Sequence, residues 1–382
     1  MPLDVRIPEG LPAVLREGPV PLALGADPER EQLSIAFVVP SFRQASGGHA
    51  TVAALVRSLE ARGHSCSLWI LDNAGSSDPK AAERFTSWFG PIGGPVSTSF
   101  GAWAHVDVVV ATAWQTVPRT LRLSGAHARA YLVQDHEAEF YPASVEREWA
   151  AWTYRQGMHC IAASQWLVEV LGRRYGASTT RFDLAVDHAS YRPLGMPRRE
   201  DLVVFYARAA TPWRGVPLGL LALEELHRRR PGIEIALFGD ERPLRTRFPH
   251  RHLGVLPRDA LAEIYSMATL GMALSLTNPS LIPLEMLACG LPCVDVATES
   301  MLASHSNSNR PITLAELDPL AICRALEVLL DTPKQRAAAS RAGRVWIRSL
   351  TWDHAAEQVE AGLRMALRSN MGPRPERTTE SS

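Results

Sequence analysis

The chain alternates short apolar segments with longer amphipathic ones, and this alternation restricts it to a small set of folds. The first apolar segment, Leu33–Pro40, is almost continuous in Val, Ile, Ala and Phe, which is typical of a strand buried on both faces. A helical pattern over His49–Arg62 follows, and a second strand is predicted over Ser65–Leu71. Strand, helix and strand in this order form a βαβ unit, which predicts a parallel sheet with helices on its faces.

The same alternation continues through the first half of the chain and starts again after a linker. The linker, Ala189–Asp201, is polar and rich in Pro, while residues 1–31 are predicted to be an irregular leader. Further strands are predicted at Val106–Ala111, Ala128–Val133, Cys160–Ala163, Leu202–Tyr206, Glu234–Phe238, Leu270–Ser275 and Cys293–Val296. Further helices are predicted at Gln165–Arg174, Val216–Arg229, Arg258–Met267, Leu281–Cys289, Pro319–Leu330, Lys334–Leu350 and from Trp352 to about Ser369. We therefore predict an α/β chain with two doubly wound, Rossmann-like parallel-sheet domains.

Composition is consistent with two cytoplasmic domains and argues against several other classes. The chain has 382 residues, and its 40 Lys and Arg balance its 40 Asp and Glu, so no basic excess predicts a nucleic-acid partner. No apolar run reaches the ~18 residues of a membrane span, and Met1–Gly10 lacks a signal-peptide pattern. The five cysteines are scattered along the chain, which predicts buried thiols in a reducing compartment and no zinc site.

The segment Thr277–Val294 carries the most chemistry. A loop that contains Asn278 and Ser280 leads into a short helix with one carboxylate, Glu285, and the helix ends at a Gly-Leu-Pro turn before a strand. A helix N-terminus presents unpaired N–H groups, which bind phosphate or sugar oxygens. Glu285 lies about one turn into the helix, where a carboxylate can hold two vicinal hydroxyls. The segment therefore predicts a site for phosphate and sugar groups.

Five short segments follow one another in a characteristic order: Ser46–His49, Ala162–Leu167, Ala185–Pro193, Ala207–Gly215 and Thr351-Trp352. They resemble the motifs of the family 4 retaining glycosyltransferases, which have the GT-B fold. Val39–Thr51 and Leu132–Pro142 are most similar to bacterial rhamnosyltransferases of surface-glycan assembly. The resemblance implies an acceptor domain over 1–192, a donor domain over 193–351, a final helix over 352–370 that returns to the first domain, and a disordered tail over 371–382.

The resemblance assigns donor binding chiefly to the second domain. Arg208 and Arg214 would neutralise the diphosphate, and they are catalytic candidates because charge grows on the leaving phosphate. Glu285 would bind the ribose hydroxyls. Thr277 stands where the family usually has a carboxylate that contacts the hexose, a departure that is compatible with a 6-deoxy sugar such as rhamnose. The other donor-binding candidates are Gly47, Gly48, Asn278, Ser280 and Leu281.

The first domain supplies the candidates for acceptor binding. Asp135 follows a predicted strand and is the first choice for contact with the sugar or the acceptor hydroxyl, with His136 as the second. Both are also catalytic candidates. Their neighbours Glu137 and Glu139 are interpreted as solvated acids. Two further acceptor-binding candidates lie close to strand ends, His49 and Trp114.

The resemblance implies a metal-independent transfer, with retained configuration, from a nucleotide-diphospho sugar to a hydroxyl of a carbohydrate, glycolipid or small molecule. No cofactor is expected, and a dTDP-sugar is among the candidate donors. A peripheral membrane contact and the oligomeric state are left open. Alternatives are a nucleotide-sugar epimerase or a phosphorylase of the same layout, or a catalytically inactive nucleotide-sugar-binding subunit. A dinucleotide-binding module is disfavoured because neither first loop contains G-x-G-x-x-G.

Overall fold

A computed structural model describes residues 7–71, 80–304 and 311–370, which form two parallel β-sheets covered by helices. The predicted α/β, doubly wound architecture is confirmed. The predicted tail over 371–382 lies outside the described residues. We call the seven-stranded sheet with its helices the first lobe, and the six-stranded sheet with its helices the second lobe.

The sheet of the first lobe has the strand order β3-β2-β1-β4-β5-β6-β7. Its strands are β1 (Ser34–Val39), β2 (Ser65–Ile70), β3 (Val96–Ser97), β4 (Val106–Ala111), β5 (Ala126–Val133), β6 (His159–Ala162) and β7 (Thr179–Arg181). β1 is buried over Ile35–Val39 because strands flank it on both edges and helices cover its faces. It pairs in parallel with β2 from Ser34↔Ser65 and with β4 from Ile35↔Val108.

The sheet of the second lobe has the strand order β10-β9-β8-β11-β12-β13. Its strands are β8 (Leu202–Tyr206), β9 (Glu234–Phe238), β10 (Arg251–Gly254), β11 (Leu270–Met272), β12 (Cys293–Val296) and β13 (Ile312–Ala315). β11 is shorter than the predicted strand Leu270–Ser275. The reason is that the Ser275 backbone N–H donates to the Asp295 carboxylate, at 2.8 Å, and not to a neighbouring strand.

Helices cover both sheets. Those of the first lobe are α1 (Leu11–Glu17), α2 (Gly47–Ala61), α3 (Ala81–Phe89), α4 (Val117–Leu121), α5 (Val145–Thr153) and α6 (Gln165–Tyr175). Those that follow along the chain are α7 (Val216–Arg229), α8 (Arg258–Met267), α9 (Leu281–Ala288), α10 (Glu299–Ser304), α11 (Pro319–Asp331), α12 (Pro333–Ile347) and α13 (Trp352–Ser369). In the described ranges, none of these helices combines the length and apolarity needed to cross a bilayer.

Helix α1 corrects the prediction of an irregular leader over residues 1–31. It begins after Gly10 and buries Leu11 and Val14. Helices α1 and α4 are in contact, and a Cβ at Gly10 would lie only 2.9 Å from the Pro118 carbonyl oxygen. Two apolar residues in a stretch rich in Pro and charge are a weak helix signal, so packing against α4 decides the structure here.

The last helix, α13, leaves the second lobe and packs on the first sheet. It contacts α2 and strands β4–β7, and a Cβ at Gly362 would lie 2.6 Å from Thr180 Oγ1. Arg364 Nη1 donates to the Pro28 carbonyl oxygen at 2.7 Å. The expected return of the final helix to the first lobe is confirmed. The five cysteines are buried and unpaired, as predicted.

Candidate active site between the lobes

Loops at the carboxyl ends of strands from both sheets meet between the lobes. The loops after β1, β5 and β6 of the first lobe hydrogen-bond with the loops after β8 and β11 of the second. In the second sheet, β8 and β11 are also the two strands between which the strand order reverses. Open parallel sheets bind ligands outside the carboxyl ends of their strands at such a switch point. We therefore place the candidate active site in this crevice.

Two helix N-termini, one from each lobe, face each other in the crevice. Helix α2 begins at Gly47 and α9 begins at Leu281, and a Cβ at Gly47 would lie 4.0 Å from Leu281 Cδ1. Neither N-cap serine bonds a backbone N–H of its helix: Ser46 Oγ lies 2.8 Å from His49 Nδ1, and Ser280 Oγ has no partner among the described residues. First-turn N–H groups without a side-chain cap carry partial positive charge and suit an anion.

Two arginines after β8 add full positive charges. Arg208 Nη1 donates to the Ala45 carbonyl oxygen at 3.1 Å, which brings its guanidinium group beside the start of α2. Ala45 has a φ of 57° and is the one non-glycine with positive φ in the described part of the chain. Strain of this kind collects at functional loops. Arg214 ends the 3-10 turn Pro212–Arg214, and its Nη1 lies 3.4 Å from Ser275 Oγ in the loop before α9.

Asp135, the first choice for sugar contact, holds the two lobes together. Its Oδ1 accepts the backbone N–H of Asn278 at 3.0 Å and of His136 at 2.8 Å, and its Oδ2 accepts the Thr277 hydroxyl at 3.0 Å. Burial raises the pKa of Asp135 to about 6, against the smaller lowering effect of Arg214 and of these hydrogen bonds. A carboxylate with three donors in place, two of them from the opposite lobe, can position a loop.

Asn278 is fully buried at the same boundary, with 0% of its surface exposed. Its Nδ2 donates to the Gln134 carbonyl oxygen at 3.0 Å, and its Oδ1 accepts the Ser164 hydroxyl at 2.6 Å. The Gln134 side chain in turn donates to the Gly48 carbonyl oxygen at 3.2 Å. A continuous set of hydrogen bonds therefore links the glycine-rich start of α2 to the loop before α9.

A second buried acid, Asp295, lies behind Arg214. Its Oδ1 accepts the backbone N–H groups of Ser275 and Val296, while its Oδ2 has no hydrogen-bond partner among the described residues. Burial raises the pKa of Asp295 to about 7, and Arg214 is close enough to lower it in part. The sequence alone does not indicate a role for Asp295, because an acid inside an apolar strand has no distinguishing pattern.

Glu285 lies in α9, one turn from its N-terminus, near Tyr191 and Arg258. Burial raises its pKa to about 7, and the Tyr191 hydroxyl and the Arg258 guanidinium lower it in part. Its Oε2 is buried and has no hydrogen-bond partner in the described ranges. Arg258 also forms an ion pair, at 3.6 Å, with Asp187, a residue of the segment that connects the two lobes. A buried acid with an unused oxygen at this place can accept hydroxyl groups.

The ring of His49 is held in place by two hydrogen bonds at the start of α2. Its Nε2 donates to the Pro40 carbonyl oxygen at 3.3 Å, so Nδ1 accepts the Ser46 hydroxyl. Its ring stacks on Phe89, with centroids 5.8 Å apart. Burial lowers the pKa of His49 to about 4, so the ring is neutral at physiological pH. The ring fixes the loop before α2, and because His49 is only half-buried, acceptor binding by this residue stays a prediction.

His136 and Trp114 are buried, which corrects the prediction that they contact substrate. The His136 ring is 2% exposed, and its Nε2 lies 2.7 Å from the Tyr175 hydroxyl. Trp114 is 4% exposed, and its indole N–H donates to the Tyr141 hydroxyl at 3.1 Å. Neither ring can stack on or bind an acceptor unless the surrounding loops move.

Glu137 is buried, which corrects the prediction that it is a solvated acid. Its two carboxylate oxygens accept the Trp114 backbone N–H and the Tyr131 hydroxyl, each at 2.9 Å. Burial raises the pKa of Glu137 to about 7. Glu139 is exposed, as expected, and lies 3.0 Å from His136 Nδ1. The acid of Glu137 thus organises the interior behind the crevice.

One protein family matches part of the chain, and two proteins are similar to it over more than half of its length. The family model of the WsaF C-terminal domain matches residues 201–327, which include Arg208, Arg214 and Glu285. The O-antigen biosynthesis protein RfbC of Myxococcus xanthus is 30% identical over 265 residues, 67% of this chain and 20% of that protein. The D-inositol 3-phosphate glycosyltransferase of Segniliparus rotundus is 25% identical over 225 residues, 52% of this chain and 50% of that protein. The chain thus spans half or less of the length of these relatives.

Solved structures resemble nearly the whole chain. Sucrose-phosphate synthase from Thermosynechococcus elongatus has a TM-score of 0.68 at 16% identity, over 88% of this chain and 100% of that one. HepE from Anabaena, solved in complex with UDP and glucose, has a TM-score of 0.65 at 13% identity, over 87% of this chain and 100% of that one. The chain has the GT-B fold. In this GT-B structure, the crevice between the lobes contains the two uncapped helix N-termini and both arginines.

Proposed function

We propose that the chain is a retaining glycosyltransferase that moves a sugar from a nucleotide-diphospho sugar to an acceptor hydroxyl. The observation that carries the proposal is the pair of uncapped helix N-termini, at Gly47 and Leu281, that meet at the lobe boundary beside Arg208. These groups suit a diphosphate whose negative charge grows as the sugar leaves. The similarity to D-inositol 3-phosphate glycosyltransferase and to sucrose-phosphate synthase supports the same class of reaction.

In this proposal the donor binds to the second lobe, over residues 193–351. Its diphosphate lies between Arg208, Arg214 and the N-terminus of α9, and Glu285 holds the ribose hydroxyls. Around the sugar lie Gly47, Gly48, Ser280 and Leu281, while the buried donor-binding residues Thr277 and Asn278 act by holding the loop that carries Ser280 and Leu281. The UDP and glucose bound to HepE support a nucleotide-sugar donor, with a dTDP-sugar as another candidate. The acceptor binds to the first lobe, over residues 1–192.

The transfer proceeds on one face of the sugar and without a metal ion. The bond between the anomeric carbon and the leaving phosphate oxygen breaks, the bond to the acceptor oxygen forms, and the acceptor proton passes to the leaving phosphate. The two guanidinium groups and the helix N-termini stabilise the charge that develops on that phosphate. Closing the lobes excludes water, which would otherwise compete as the acceptor.

We further propose that the enzyme acts in the cytoplasm in the assembly of a bacterial glycan, with rhamnose or another 6-deoxyhexose as the transferred sugar. The similarity to the O-antigen biosynthesis protein RfbC supports glycan assembly. Thr277 supports the sugar assignment, because it offers a neutral hydroxyl where the resembling family has a carboxylate. The acceptor is a carbohydrate, a glycolipid or a small molecule.

The proposal is tested by measuring donor binding and then turnover. Thermal-shift screening against UDP-, dTDP- and GDP-sugars should show specific stabilisation by one nucleotide class, because ligands that bind the native state raise Tm. Arg208→Ala and Arg214→Ala should abolish that shift and the release of nucleoside diphosphate in the presence of acceptor. The matched control is Arg247→Ala, since Arg247 belongs to the same lobe and its side chain is 85% exposed. Wild-type turnover in both arginine variants would refute the proposal.

A catalytically inactive nucleotide-sugar-binding subunit is the second candidate. The observation that favours it is the side chain at position 277. Thr277 stands where the resembling family has a carboxylate, and its hydroxyl already donates to Asp135. This candidate predicts donor-specific stabilisation without nucleotide release in the presence of any acceptor. Turnover without acceptor would indicate an epimerase, and turnover that depends on inorganic phosphate would indicate a phosphorylase.

A further inference from the structure

We propose that Asp135 is a positioning residue that fixes the donor loop, Thr277–Leu281, across the lobe boundary, so that this loop takes its binding arrangement only when the lobes are closed. The proposal rests on the proposed transferase function only for its donor-binding measurement. It assigns Asp135 to the donor loop, whereas the sequence suggested direct contact with the sugar or acceptor.

The first argument is the origin of the hydrogen bonds. Of the three donors on the Asp135 carboxylate, the Thr277 hydroxyl and the Asn278 backbone N–H come from the opposite lobe. The Asn278 side chain bonds to two first-lobe groups: its amide N–H donates to the Gln134 carbonyl oxygen, and its carbonyl oxygen accepts the Ser164 hydroxyl. The polar groups at the start of the donor loop are therefore satisfied mainly by the other lobe.

The second argument is the support that the donor loop receives from its own lobe. Among the described residues, Ser300 is the second-lobe side chain that bonds to the start of this loop: its hydroxyl donates to the Thr277 carbonyl oxygen. Without the first lobe, the Thr277 hydroxyl and the whole Asn278 side chain would have to bond to water. A loop held in this way is free to rearrange when the lobes separate.

The third argument is the position of the donor loop in the chain. It leads directly into α9, whose uncapped N-terminus and Glu285 are the proposed contacts for phosphate and ribose. A shift of the loop therefore shifts both contacts together. Arg214 links the same parts, because it is near enough to Asp135 to lower the pKa of that acid and lies 3.4 Å from Ser275 Oγ. Closing the lobes thus assembles the donor site.

The experiment compares paired variants in the full chain. Thr277→Val removes the hydroxyl with little change of shape, and Thr277→Ser keeps it. Thr277→Val should weaken nucleotide-sugar binding roughly tenfold, because a buried carboxylate oxygen loses its partner, while Thr277→Ser should bind like the wild type. Asp135→Ala should weaken binding further, and Thr277→Val should then add little in the Asp135→Ala background, because the two changes remove the same bond.

A second measurement needs no nucleotide sugar and so separates this inference from the proposed function. Small-angle X-ray scattering of the unliganded chain should give a larger radius of gyration for Asp135→Ala than for the wild type. Glu139→Gln, which removes an exposed acid of the same turn, should leave that radius unchanged. If Asp135→Ala and Thr277→Val are folded and keep the wild-type radius and donor affinity, the inference is overturned. If the wild type binds no nucleotide sugar, the proposed function fails and the scattering result still decides the inference.

Discussion

The ring of Trp213 in the second lobe stacks on the ring of Phe140 in the first, with centroids 3.8 Å apart and planes 10° from parallel. Each ring belongs to a 3-10 turn that follows a strand: Glu137–Phe140 follows β5, and Pro212–Arg214 follows β8. The stack therefore ties the turn that begins just after Asp135 to the turn that ends in Arg214. This aromatic contact adds to the hydrogen bonds that join the lobes at Asp135, Asn278 and Arg208.

Removing this stack should favour the open arrangement of the lobes. We expect Trp213→Ala to weaken nucleotide-sugar binding several-fold, since an aromatic pair contributes about 0.5–1.5 kcal/mol beyond its buried area. Trp213→Phe should retain most of the affinity because it keeps a ring against Phe140. Isothermal titration calorimetry of the three proteins would measure the difference. Equal affinity for wild type and Trp213→Ala would mean that the stack has no part in donor binding.

The central elements of the fold could be predicted from the sequence because buried strands and the helices between them have regular patterns. The predicted strands Leu202–Tyr206, Glu234–Phe238 and Cys293–Val296 have the bounds that the structure shows. The four edge strands, β3, β7, β10 and β13, were not predicted. Each is two to four residues long and contains at least one polar or charged residue on the outer edge of a sheet, so all four lack a long apolar run.

The site was predictable as a set of loops but less so residue by residue. Arg208, Asp135, Asn278 and Leu281 do meet at the lobe boundary, because all follow strands whose carboxyl ends converge. His136 was selected because it follows a predicted strand, where the resembling family carries a sugar-contacting His or Asp. The orientation of its ring depends on Tyr175, 39 residues away, which a local pattern does not reveal.

Glu285 should make donor binding depend on pH. Its pKa of about 7 means that the carboxyl is mainly neutral at pH 6 and mainly ionised at pH 8. If the ionised form accepts the ribose hydroxyls, donor affinity should rise by up to about tenfold between these pH values, which is the change in the ionised fraction. The measurement is the donor Kd at pH 6, 7 and 8.

Two variants isolate this effect. Glu285→Gln should bind the donor weakly at every pH and lose this part of the pH dependence. Glu137→Gln removes an acid with a similarly raised pKa that lies in the interior of the first lobe, and it should keep the dependence. An unchanged pH profile in Glu285→Gln would assign the titration to another acid, such as Asp295, whose pKa is also about 7.

Glu137 should make the folded state less stable as pH rises. Its folded pKa, about 7, lies above its ordinary value of 4.5, so the native state holds a proton that the unfolded chain has lost. Stability that is present below pH 4.5 is therefore lost as pH rises through 7, by about 1 kcal/mol between pH 6 and pH 8. In Glu137→Gln the amide can donate to the Tyr131 oxygen and accept from the Trp114 N–H, as the protonated acid does.

We expect urea unfolding of Glu137→Gln to show a smaller loss of unfolding free energy between pH 6 and pH 8 than the wild type. The slope should be reduced and not abolished, because Glu285 and Asp295 titrate in the same range. Glu139→Gln is the control. Partial burial raises the pKa of Glu139, but its hydrogen bond with His136 and the charge of Arg174 lower the pKa below its ordinary value, so the wild-type slope should persist. A wild-type slope in Glu137→Gln would show that this carboxyl does not titrate near neutrality.

A pair of helical glycines separates packing from helix propensity at the contact between α13 and the first sheet. A Cβ at Gly362 would lie 2.6 Å from Thr180 Oγ1 and 2.7 Å from Ile161 Cγ1, so Gly362→Ala must push α13 off β6 and β7. We expect a loss of about 1–3 kcal/mol in unfolding free energy, the usual range for an overpacked interior.

Gly172, in α6, is the control. A Cβ built at Gly172 has nothing within 4 Å, so Gly172→Ala should stabilise the protein by about 0.5–1 kcal/mol. Both changes can be measured as shifts in the denaturant midpoint. Because the two substitutions are chemically identical, opposite signs would assign the loss at Gly362 to the close approach of α13, whereas a gain at both positions would mean that helix propensity outweighs packing at Gly362.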